Sequence, residues 1–146
     1  MGINIEFFYV VILALFSGII IHEYGHALIA FLLGIKIKKI HFFPRSSVET
    51  EKIDDANIRI LIGFSGGFFA CLFLLTVLLI FPFKSIVYSG YFQLNGSELG
   101  LFFCLIHLIG GIIEGFFPDL YSNNRLYLIC VIILSFIVYY LFYYFF

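Results

Sequence analysis

The chain predicts an all-α integral membrane protein, a four-span helical bundle. Three observations carry that prediction. Of its 146 residues, 63% are hydrophobic and only 12% charged, with a mean hydropathy of +1.13. A soluble domain of this size cannot hide so much apolar surface. Four apolar stretches, at about 5–33, 58–83, 99–117 and 126–145, match the roughly 20 residues needed to cross a bilayer. Lys and Arg are distributed unequally between the loops, as expected of a protein that is oriented by its charges. One membrane-embedded domain, 1–146, is expected, with no room for a separate soluble module. The net charge of −1 leaves no electrostatic footprint for nucleic acid.

The first stretch exceeds the hydrocarbon thickness, so it tilts or protrudes. No Lys or Arg precedes it, it is too long for a signal-peptide core, and no small-x-small cleavage site closes it. It is therefore expected to remain as an anchor. Inside it lies His22-Glu23-Tyr24-Gly25-His26, an H-E-x-x-H motif. Ionisable residues are costly in hydrocarbon, so such a cluster marks a functional site. At a spacing of four, His22 and His26 share one helix face. Both can bind one Zn²⁺, with Glu23 beside them as general base.

The segment 34–57 follows as a basic loop. It carries Lys36, Lys38, Lys39, Arg45 and Lys52, with Arg59 at its edge. Isoleucines 35, 37 and 40 interleave with the lysines, and Pro44-Arg45-Ser46-Ser47 reads as a turn. A short β-hairpin over 35–53 and a plain amphipathic loop on anionic headgroups both fit this pattern. Lys84 is the lone cation of the second loop, and Arg125 lies in the third. With four spans, seven positive residues fall on one side and one on the other. The positive-inside rule makes the first side cytoplasmic. Both termini are then outside, and the H-E-x-x-H motif lies in the cytoplasmic half of a multi-pass protein.

The second stretch carries Phe64-Ser65-Gly66-Gly67-Phe68, a run of small residues that reads as a packing notch against the first span. The fourth ends in Tyr139-Tyr140-Leu141-Phe142-Tyr143-Tyr144, an interfacial aromatic belt. Cys71, Cys104 and Cys130 stand apart in apolar runs and read as free packed thiols.

A catalytic zinc site usually takes three protein ligands. The third must come from elsewhere at the same membrane depth, and the end of the third span is the matching place. Asp119 follows Pro118, whose helix break is expected to aim the carboxylate back into the bundle. Glu114 is the alternative, as a ligand or as a partner to a histidine. His107 is the weakest of the three candidates, about 18 Å from Asp119 along an unbroken helix.

H-E-Y-G-H in the first span, F-S-G-G-F in the second and P-D after the third resemble the site-2 protease family of intramembrane zinc metalloproteases. The resemblance covers roughly residues 7–125 and leaves the fourth span as an addition. It implies a three-helix catalytic core, one zinc ion held by His22, His26 and Asp119, and Glu23 as the catalytic residue. It also implies hydrolysis of membrane-spanning segments of other proteins, and β structure beside the catalytic helix. A prokaryotic plasma membrane is the expected location. Two other readings stay open on the residues: a catalytically degenerate member that binds membrane helices, and a metal or proton transporter.

Overall fold

The first apolar run forms a single helical rod whose winding changes halfway. Helix α1 spans Ile5–Phe16, a π-helical turn follows at Ser17–Ile21, and α2 spans His22–Leu32. In the widened turn the His22 backbone N–H reaches the Ser17 carbonyl, five residues back. This computed structural model describes residues 5–42, 46–83, 86–89, 93–122 and 124–145. The remaining elements are β1 (Ile37–His41), β2 (Ser47–Thr50), α3 (Ala56–Ile80), β3 (Ile86–Ser89), β4 (Gln93–Asn95), α4 (Gly96–Phe116), α5 (Pro118–Ser122) and α6 (Asn124–Phe145).

Local chemistry sets the ends of these helices. Gly34 closes α2 with a φ of 73°. The Gly34 N–H bonds the Phe31 carbonyl and the Ile35 N–H bonds the Ala30 carbonyl, the Schellman pattern that only glycine adopts without steric cost. Asp55 caps α3 by accepting from the N–H groups of Asn57 and Ile58. That helix stops at Ile80, earlier than the hydropathy implied, because Pro82 follows shortly after. A capping box joins Asn95 and Glu98 and starts α4 at Gly96.

Among the described residues, three helices are long and apolar enough to cross a membrane: Ile5–Leu32, Ala56–Ile80 and Gly96–Phe116. The apolar stretch Arg125–Leu141 in α6 is shorter. The bundle exposes many large apolar side chains, among them Phe31, Leu79, Phe116 and Tyr140, as lipid-facing helices do. An all-α membrane fold is therefore present. Its core contains Ala14, Leu74, Leu78 and Cys104.

Helices α3 and α4 meet backbone to backbone. A Cβ on Gly63 would lie 2.8 Å from the Gly115 Cα, and one on Gly111 would lie 2.9 Å from the Gly67 Cα. Each helix thus presents two glycines four residues apart, a spacing of small residues that permits close approach in lipid. Gly67 therefore serves the α3–α4 contact, whereas Gly25 and Ser65 form the expected notch against the first rod. There the Ser65 hydroxyl bonds the carbonyls of Ile62 and Gly25. The three cysteines are free, yet Cys71 and Cys104 are not apart in space: the Cys104 thiol points at the Cys71 carbonyl at 3.8 Å.

The hairpin expected after the first span is present. Strands β1 and β2 pair antiparallel, with Ile40 opposite Val48 and a bulge between Ile37 and Lys39. Its Pro44-Arg45 turn lies outside the described residues, as does Lys84. A tilted pair of rings, Tyr24 and Phe42 with centroids 5.8 Å apart, ties the hairpin to α2. A second antiparallel hairpin, β3–β4, precedes α4 and was not anticipated from the pattern. The side chains of Phe142 and Tyr143 in the aromatic ending are also outside what is described.

Candidate metal centre

The H-E-x-x-H motif lies on the first turns of α2, directly after the π-helical turn. Such turns often occur at functional sites. His22 and His26 project from one face, with ring centroids 4.6 Å apart and planes at 79°. Helix α3 accommodates them through Gly66. A Cβ there would collide with His26 Nε2 and Cε1 and would lie 2.8 Å from His22 Cδ2.

The third member comes from α4. Glu114 Oε2 lies 3.1 Å from His22 Nε2, and Oε1 lies 3.4 Å from His26 Nε2. Ligand atoms of His22, His26 and Glu114 all fall within 4.8 Å of one another. Asp119 is outside this group. The proline break does not turn it inward: Pro118 opens the short helix α5, where proline is well tolerated, and Asp119 stands exposed in its first turn. His107 is two turns up α4 from Glu114, where its Nε2 lies 2.9 Å from Ser17 Oγ and 3.2 Å from the Ala14 carbonyl.

The donors fit a cation. His26 Nδ1 is 2.6 Å from the Ile62 carbonyl. A carbonyl only accepts, so Nδ1 carries the proton and the neutral ring has its lone pair on Nε2. That lone pair faces a carboxylate oxygen, and Nε2 is buried without a hydrogen bond. Two acceptors held together in this way are reconciled by a positive charge between them. Two imidazole nitrogens and a carboxylate are also a common catalytic zinc donor set.

Beside them lies Glu23, 2% exposed. Ser46, at the end of the hairpin turn, is a polar neighbour of its carboxylate, and Oε2 has no hydrogen-bond partner. A cavity of about 380 Å³ opens onto Glu23, His26 and Glu114, with β2 along one wall. The motif spacing had indicated neither Ser46, nor the Ile62 carbonyl, nor the role of Gly66. Only the small-residue run at 64–68 hinted at the last.

The fold and this site define a membrane protein in which three possible metal donors gather around H-E-x-x-H. The chain belongs to the Peptidase M50B-like family, whose model matches residues 5–145. It is thus a site-2 protease-type membrane protein, in line with the resemblance in its motifs. No curated protein and no solved structure gave a match.

Proposed function

We propose that the protein is an intramembrane zinc metalloprotease that hydrolyses peptide bonds within or near transmembrane segments of other membrane proteins. His22, His26 and Glu114 would hold one zinc ion, and Glu23 would be the catalytic residue. The observation that carries this reading is the convergence of three donors within 4.8 Å beside a buried carboxylate oxygen that has no partner. Asp119 remains the rival third ligand, and its exposed position on α5 weighs against it. The reading takes residues 1–146 as one domain in a prokaryotic plasma membrane. The cation-rich loops support a site in the cytoplasmic half and termini outside.

When bound, zinc supplies Lewis acidity that polarises the peptide carbonyl and makes water more acidic. The chain's own residues do the rest. The Ile62 carbonyl orients His26 and fixes its tautomer. Glu23 Oε2, buried with no hydrogen-bond partner, is left to take a proton from the attacking water and deliver it to the leaving amine nitrogen. A substrate helix hides its own peptide bonds, so it must unwind before cleavage. Ser47, Val48 and Thr50 of β2 line the cavity, and the edge of this strand that does not pair with β1 would offer main-chain hydrogen bonds to the extended segment.

One purified sample tests the reading. Bound zinc is measured by elemental analysis, and cleavage of a panel of membrane-spanning peptides is followed for wild type and Glu23→Gln. Zinc with cleavage by wild type alone supports the protease. Zinc without any cleavage supports a degenerate, helix-binding member instead.

A further inference from the structure

Four residues of α3 occur at positions i, i+3, i+4 and i+7: Arg59, Ile62, Gly63 and Gly66. That spacing is one face of a helix. Gly66 packs against the imidazoles, the Ile62 carbonyl holds His26 and Gly63 lines the cavity. Arg59 lies on the same stripe where the cavity meets the hairpin, and among the described residues it is the only Lys or Arg in the lining. Three carboxylates, Glu23, Glu51 and Glu114, line the same space. Arg59 is ion-paired with none of them, and its guanidinium has no hydrogen bond among the described residues. Glu51 is engaged elsewhere, accepting from the Lys36 N–H. A guanidinium with five donors, beside an edge strand and unmatched among the described residues, is suited to a carboxylate brought by a ligand.

The distance sets a register. Seven residues of helix separate Arg59 from Gly66, about 10 Å at 1.5 Å per residue. An extended peptide covers that in about three residues. We propose that Arg59 selects substrates by binding an acidic side chain about three residues from the cleaved bond, on the loop-side flank of the unwound segment. This inference rests on the protease reading for its geometry, and it extends that reading from a fold of membrane substrates to a chemical class among them.

The test uses fluorescent single-span peptides in nanodiscs, identical except for one aspartate moved along the loop-side flank. Binding is measured to Glu23→Gln protein, and cleavage by wild type. One position about three residues from the cut is expected to bind and be cleaved about tenfold better with Asp than with Ala. In Arg59→Gln protein that ratio falls to about one. In Arg59→Glu protein the preference passes to a lysine at the same position. An advantage that is equal at every position, or that persists in Arg59→Gln protein, overturns the proposal and leaves Arg59 as a headgroup anchor. If wild type cuts none of the peptides, the protease reading fails, while the binding scan still decides the role of Arg59. The aspartate scan needs no change at Arg59, so a misfolded variant cannot imitate its outcome.

Discussion

Two buried histidine clusters join the first helical rod to α4, and they are built on opposite principles. At Ser17 the pairing is closed. His107 Nε2 donates towards the Ser17 hydroxyl and the Ala14 carbonyl, and the Ser17 hydroxyl itself donates to Ala14. No buried atom of that pair lacks a partner. One turn beyond the π-helical segment the pairing is open. Glu23 Oε2 and His26 Nε2 are buried without hydrogen bonds, although leaving such groups unmatched costs about 1–3 kcal/mol each. Closed clusters hold helices together. An open one, kept against that cost, marks where a ligand or a reacting group completes the set.

The largest expected effect that sharpens this contrast is at Glu23. Glu23→Gln should lower peptide cleavage by about 10²- to 10⁴-fold, the range for loss of general acid–base catalysis. Bound zinc, read by elemental analysis, should stay at one ion per chain. Undiminished cleavage by this variant would remove Glu23 from the chemistry.

Next comes the third ligand. Glu114→Gln should weaken zinc binding by more than about a hundredfold, beyond the usual loss for an outer-shell partner. Asp119→Asn should keep its metal in the same competition assay with a chelator. The reverse pattern would make Asp119 the ligand and Glu114 a hydrogen-bonding neighbour.

Adjacent glycines separate the site from the scaffold. Gly66→Ala presses on both imidazoles, whereas Gly67→Ala presses on the His107 carbonyl and Gly111. Each should destabilise the protein by about 1–3 kcal/mol through overpacking, measured by unfolding in detergent. Only Gly66→Ala should also lose zinc affinity. Equal metal loss in both would mean that the glycines act through the bundle as a whole.

The smallest effect belongs to the closed cluster. Ser17→Ala should cost about 1 kcal/mol of stability and leave zinc stoichiometry unchanged. A Ser17→Ala protein that folds but lacks metal would show that the π-helical turn is part of the site.

Much of this was legible in residues alone, for reasons that differ by element. The lysine–isoleucine alternation at 35–40 suggested a strand because side chains alternate across a β-strand, and β1 lies there. Strands β3 and β4 escaped notice because 84–98 lacks such an alternation and was read as a connecting loop. The π-helical turn has no sequence signature, since it adds only one residue to a turn of an otherwise regular apolar helix. The choice between Glu114 and Asp119 turned on Pro118. A helix break was rightly expected, but the direction the chain takes after it was not encoded locally.

The sequence by itself determined the membrane class, the apolar helices and the face shared by His22 and His26, because hydropathy and helical periodicity are properties of neighbours in the chain. It also placed Glu23 beside the two histidines. Only the tertiary structure decided which carboxylate joins them. His22 and Glu114 are 92 residues apart, and their approach depends on how closely α2, α3 and α4 cross. That closeness comes from glycines 63, 66, 67, 111 and 115. Their absent side chains let backbones and imidazoles occupy the same narrow space, and no count along the chain measures that distance.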